Sequence, residues 1–375
     1  MSAVVSPHAW LQPIRATFLP VFTTPFLARV EVELGSAITR LGGAVQDVPD
    51  DSTDLILAAA PFGAPLSWRK APFFQARRHY RLARQPVVFT VMHAPSGLFA
   101  ETMDRLERAL AKEPPDPADF AFPGLQATAY LTLVEQGRRG GPILALQRLL
   151  QAQAMCLRIL LMVGDDRPET TYHFDLVGAC ARTIGDTPAA YQDLAVRMAT
   201  AATVQNLGGY VVLPDPIPQP IWQRLFTPRA MSQASAALGA RGFFTDMVRI
   251  SDLVQVPALS GAIAEQYSEG CLGTWEPGLS ALVSSITGSA RPVDKGNITD
   301  DDLAVVVRVG EDGRSVYVRE VEGKRNDPPS SEAFEMVDID SALPWITLDA
   351  QWGVTAQVPV ARSKLHGHRG VTAYD

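Results

Sequence analysis

From Arg15 onward the chain alternates short apolar runs with amphipathic stretches. The runs at 17–22, 44–48, 54–59 and 86–92 have strand length, whereas 28–41, 72–82 and 97–111 read as helices. The order is β-α-β-β or βαβ, the alternation expected of a sheet covered on both faces. Prolines 114, 115 and 117 then interrupt it, because proline lacks an amide donor and disfavours helix in the residue before it.

The rhythm resumes with a helix at 143–156 and a buried strand at 157–163. Asp186-Thr187-Pro188 is a helix start, with a capping side chain before a proline suited to the first turn, and that helix is expected to reach Leu207. Gly208-Gly209 ends it. A strand at 210–213 and helices at 228–238, 257–266 and 278–287 follow. Beyond Ser289 helical periodicity disappears, leaving β-prone runs at 303–309, 315–320, 334–339 and 355–360, with a hairpin turn at 311–314. The expected fold class is α/β, with two Rossmann-like α/β layers followed by a β-rich C-terminal domain. The domains are 1–156, 157–288 and 289–375.

Length supports this division, since 375 residues exceed the size at which one hydrophobic core stops growing. At 47% hydrophobic and 19% charged residues, the chain has enough apolar material to fold. Its 40 acidic and 33 basic residues give a net charge of -7 with no basic stripe, so nucleic acid is not an expected partner. The arginines at 77, 78, 81 and 84 have the spacing of a solvated helix face. The three cysteines, Cys156, Cys180 and Cys271, lie far apart, which suits a reducing compartment and points to a cytoplasmic protein. No segment approaches the ~20 apolar residues that span a bilayer, so no membrane is expected as a partner.

Phosphate loops, nucleophile elbows and HExxH motifs are absent, which leaves isolated candidates. His93 ends the 86–92 strand just before a helix, where ligand-binding side chains gather in open α/β sheets. An ordinary hydrogen-bonded histidine is the structural alternative. His173, with Asp175 to orient it, has the same two readings. In the loop 268–277, Glu269, Trp275 and Glu276 meet small residues before the 278–287 segment. Glu276 could ligate a cation there, or serve only to favour a helix start. Asp294 and Asp300 lie in a polar run without EF-hand spacing, as metal ligands or turn residues. His366, His368 and Arg369 sit among glycines, a composition suited to a metal, an anion or a polyol, or to an exposed tail.

Taken together, Gly270-Cys271 through Glu276, Thr287-Gly288, Arg291-Pro292 with Asp294 and Asn297, and the β-rich tail with His366 resemble the C-terminal half of the L-fucose isomerase and L-arabinose isomerase superfamily. That resemblance implies a manganese (Mn2+) site of Glu276, Asp294 and His366. It implies isomerisation of a small carbohydrate through an enediol, with Glu276 or Glu269 as catalytic base. Trp275, His368, Arg369 and His93 would bind substrate, and the protein is expected to be a homo-oligomer. The family's His-Cys-Gly motif falls where this chain has Arg308-Val309-Gly310, which favours the alternative of a non-catalytic relative that binds a small molecule or serves in assembly. A nucleotide- or coenzyme-dependent enzyme is a third reading, resting on the alternation and His93 alone.

Overall fold

A computed structural model describes residues 13–72, 86–174, 180–206, 209–244, 253–254, 270–287, 293–311, 315–349 and 355–367. The helices expected at 72–82 and 257–266 and the hairpin tip at 312–314 lie essentially outside the described residues, as do the four clustered arginines. The protein is of the α/β class and forms two compact units, divided at Thr203 and Val204, with residues 253–254 returning to the first. No helix among the described residues is long and apolar enough to cross a membrane.

The first unit is built on β1 (Arg15–Leu19), α1 (Pro25–Arg40), β2 (Ala44–Gln46), β3 (Leu55–Pro61), β4 (Val87–Ala94), α2 (Ser96–Leu110), α3 (Tyr130–Ala154), β5 (Arg158–Val163), β6 (Thr170–Phe174), β7 (Cys180–Ile184) and α4 (Pro188–Asn206). Its sheet has the order β2-β1-β3-β4-β5-β6-β7, parallel through β5 and antiparallel beyond. β5 through β7 therefore extend the first sheet, and no boundary falls at 156. The long apolar run of β5 pairs on both sides, which is why it reads as a buried strand.

Crossover handedness places the helices. The path β1-α1-β2 moves one way along the sheet and β4-α2-α3-β5 the other, so right-handed connections put α1 and the α2–α3 pair on opposite faces. α1 starts where the Thr24 hydroxyl accepts from Leu27 N at 3.2 Å, with Pro25 in its first turn. It buries Leu27, Val30, Leu34, Ala37 and Ile38 at helical spacing against Leu55, Leu57, Phe89 and Val91, with α4 packed in the same core. The larger of these side chains contribute roughly 1.5–3 kcal/mol each, and Ala37 less. α3 is broken at Gly140 and Gly141, whose φ of 73° is left-handed, and Pro142 restarts it.

The second unit comprises β8 (Gly209–Val212), α5 (Phe226–Gly239), β9 (Cys271–Glu276), β10 (Ala281–Ser285), β11 (Leu303–Val309), β12 (Ser315–Arg319), α6 (Ala333–Ala342), β13 (Trp345–Asp349), β14 (Thr355–Pro359) and β15 (Ser363–His366). A six-stranded sheet has the order β15-β9-β10-β11-β12-β8 and is antiparallel except for the β12–β8 pair. It is a mixed sheet, not a second Rossmann-like layer. Leu272, Ala281, Val283 and Val305 face α5, while Cys271, Trp275, Leu282 and Val306 face α6.

Two local expectations are corrected. The segment expected as a helix at 278–287 is strand β10, because β9 and β11 pair with it on either side. The strand expected at 334–339 lies within helix α6, whose stripe Ala333, Met336, Val337 and Asp340 is buried. Gly273 allows α6 to come close: a Cβ there would lie 2.5 Å from Met336 Sδ.

Candidate functional site

In the first unit the strand order reverses direction between β1 and β3, and open α/β sheets form their ligand crevices at that point, beyond the carboxyl ends of the strands. A crevice opens there, with about 60 Å3 of room for water-sized occupants. Phe18 and Phe22 from the β1 end, Leu27 and Ala28 from α1, and Leu57 and Val91 from the sheet form its walls. Glu31 lies at its rim, and partial burial pushes its carboxyl above the usual range.

His93 stands where expected, next to last in β4. Its ring stacks on Phe26 in the first turn of α1, with centroids 3.6 Å apart and planes at 7°. Its Nε2–H donates to Gly164 O at 2.7 Å. A Cβ at Gly164 would lie 2.0 Å from Arg167 O, so glycine is required for that turn. His173 lies on β6 opposite Ala181, its ring edge-on to Phe89, while Asp175 is outside the described residues.

In the second unit β9 is the reference element. Glu276 is its last residue, buried, and its Oε1 accepts from Gly278 N at 2.8 Å, closing the turn into β10. Cys271 begins the strand and is registered opposite His366. Glu276 and His366 thus occupy opposite ends of β9, about 16 Å apart along it, and the two-residue alternation places them on opposite faces. Asp294 Oδ1 accepts from Gly296 N at 2.9 Å, as in an ordinary turn. Asp300 accepts from Trp222 Nε1 at 2.8 Å. The expected convergence of Glu276, Asp294 and His366 is therefore corrected, and among the described residues no three His, Cys, Asp or Glu side chains gather as a metal site requires. Glu269, His368 and Arg369 lie outside the described residues.

No protein-family model matches the chain. No curated protein and no solved structure is significantly similar to it either. The resemblance to the sugar isomerases therefore stands on the quoted residues alone.

The structure brings forward residues that the sequence did not single out. Lys295, only 3% exposed, donates to Ser285 Oγ at 3.2 Å and to Ile286 O at 2.5 Å. Burial lowers its ammonium pKa to about 8, against the opposite pull of Cys271, Glu332 and Asp302. Burial likewise pushes the Cys271 thiol up to about 12, which makes it inert at neutral pH. Burial would raise Glu332, but hydrogen bonds from Ser330 and Ser331 and the nearby His366 hold it below the usual carboxylate range. Lys295 follows Asp294 in a polar run, and its one sequence signal is Gly296, which meets the Gly239 backbone closely.

Toward the other end of β9, Trp275 meets Trp345 edge to face at 5.0 Å. Trp345 Nε1 donates to the backbone O of Asp340 at 3.0 Å, and Asp340 pairs with Lys364.

Proposed function

We propose that the chain is a small-molecule-binding protein whose first unit takes its ligand in the crevice between β1, β3 and α1. The observation that carries this reading is the position of the crevice at the reversal of strand order, with apolar walls and a carboxylate at the rim. Those walls favour a compact apolar group, and Glu31 favours a hydrogen-bond donor beside it. The His93–Phe26 stack ties the end of β4 to the first turn of α1, whose Leu27 lines the crevice, which fits His93 as a positioning residue. Manganese-dependent isomerisation is the weaker reading, because Glu276 and Asp294 close local turns and His366 lies on the opposite face of β9 from Glu276.

Titration of the full chain with benzyl alcohol, followed by calorimetry and amide NMR shifts, tests the proposal. Saturable binding with shifts at Phe22, Leu27 and Leu57 is expected. Ala28 lines the crevice yet is exposed, so Ala28→Leu fills the opening at little risk to folding and is expected to abolish binding. Undiminished binding to Ala28→Leu, or shifts confined to the second unit, overturns the proposal.

A further inference from the structure

The face of the second sheet that carries α6 holds an unusual polar set. Trp275 of β9 and Arg362, the residue just before β15, are directly opposite each other: Trp275 N donates to Arg362 O at 2.8 Å, and Arg362 Nη2 donates to Trp275 O at 3.3 Å. Opposed residues share a face, and so does Lys364 two positions on. Asp340 reaches the same place from α6, and its Oδ1 pairs with Lys364. The side chains of Lys364 and Asp340 are 10% and 2% exposed.

Three polar atoms of this set are buried and have no hydrogen-bond partner among the described residues: Trp275 Nε1, Arg362 Nε and Asp340 Oδ2. Unsatisfied buried groups cost free energy and are rare in folded proteins, and three on neighbouring side chains call for a common explanation. Trp275 and Asp340 are only 7% and 1% exposed, so bulk water does not reach them readily. Trp345, 40% exposed, presents one edge of the set to solvent. Counted together, two cations face one carboxylate, leaving one unneutralised positive charge.

The chemistry of the three atoms selects a ligand. Two N–H donors beside an excess positive charge suit the oxygens of a carboxylate. The free oxygen of Asp340 needs a donor and would repel a second carboxylate, so it suits a hydroxyl on the same molecule. A neutral ligand leaves the charge unbalanced, and a simple carboxylate leaves Asp340 unpaired. We propose that Trp275, Arg362 and Asp340 form a binding site for a small hydroxylated carboxylate, with the Trp345 ring as the wall against its carbon skeleton. The site lies wholly in the second unit and is independent of the crevice in the first.

Calorimetric titration of the full chain with glycerate and gluconate is the test, with glycerol, glucose and propionate as matched controls lacking one of the two groups. Saturable binding of a hydroxy acid at millimolar concentration or tighter is expected, with each control at least about tenfold weaker, one charge-assisted hydrogen bond being of that order. Trp345→Ala is expected to weaken binding about tenfold; it also removes the contact with Trp275 and the hydrogen bond to Asp340 O, so the unfolding midpoint falls, and affinity is compared at a temperature where circular dichroism shows both proteins folded. Arg362→Lys keeps the charge but loses the Nε donor, and the same loss is expected. Three outcomes overturn the proposal: no hydroxy acid binds; a neutral sugar binds as well as its acid; or neither substitution changes the affinity of a bound hydroxy acid.

Discussion

Replacing Lys295 with methionine isolates the energetic consequence of burying an amine in the second unit. The drop from 10.5 to about 8 is roughly 2.5 pH units, and at about 1.36 kcal/mol per unit it amounts to about 3 kcal/mol. The folded-state pKa lies below the unfolded one, so the folded chain binds fewer protons between the two values, and stability rises with pH across that window. Below about pH 8 both states hold the proton and the full cost of the buried ammonium is present. Above 10.5 neither does, and the cost is gone. Lys295→Met loses the hydrogen bonds to Ser285 and Ile286 O, a loss of roughly 1 kcal/mol each that adds a more nearly constant offset, so the slope is diagnostic. Cys271, raised to about 12, works in the opposite direction above pH 9, but it is present in both proteins and largely cancels in the difference. Urea unfolding followed by tryptophan fluorescence reports this unit through buried Trp222 and Trp275. Wild type is expected to gain about 3 kcal/mol on Lys295→Met between pH 8 and 10.5. A difference that stays flat within about 1 kcal/mol over that range would refute the reasoning.

Gly273→Ala drives a methyl group into Met336 and is expected to destabilise the second unit by about 1–3 kcal/mol, read as a lower urea midpoint. Adding Met336→Ala should recover part of that loss, and strict additivity of the two changes would count against the close approach of α6. Glu276→Gln keeps the oxygen that accepts from Gly278 N, so a stability change under about 1 kcal/mol and an unchanged metal content are expected. A drop in bound manganese on that substitution would restore the metal-site reading.

The parallel strands of the first unit were legible because burial on both faces leaves nearly unbroken apolar runs, as in β3, β4 and β5. His93 could be placed for the same reason, since its strand and the helix after Pro95 have clear ends. Strand β10 misled because apolar positions 279, 282, 283 and 286 also fit a helix, and only pairing with β9 and β11 decides between them. Helix α6 misled for the converse reason. Its buried stripe includes Asp340, a carboxylate whose main partner, Lys364, arrives from β15, so the charge hid the helical period. Lys295 shows the same difficulty, because nothing near it in sequence announces that its ammonium ends beneath a strand.

The order of the second sheet carries a consequence for how the unit is made. β9, β10, β11 and β12 follow one another as a meander whose contacts are local and close early, whereas the edge strands on either side come from distant parts of the chain. β8 has already been synthesised when β12 emerges, so that edge can be covered at once. β15 emerges only after α6 and the β13–β14 hairpin, and it brings Arg362 and Lys364 to the Trp275 face. The cationic half of the polar set thus emerges after every other strand of the sheet. A nascent chain still lacking it would hold a formed meander with one bare edge, and ligand recognition would come only with the completed unit.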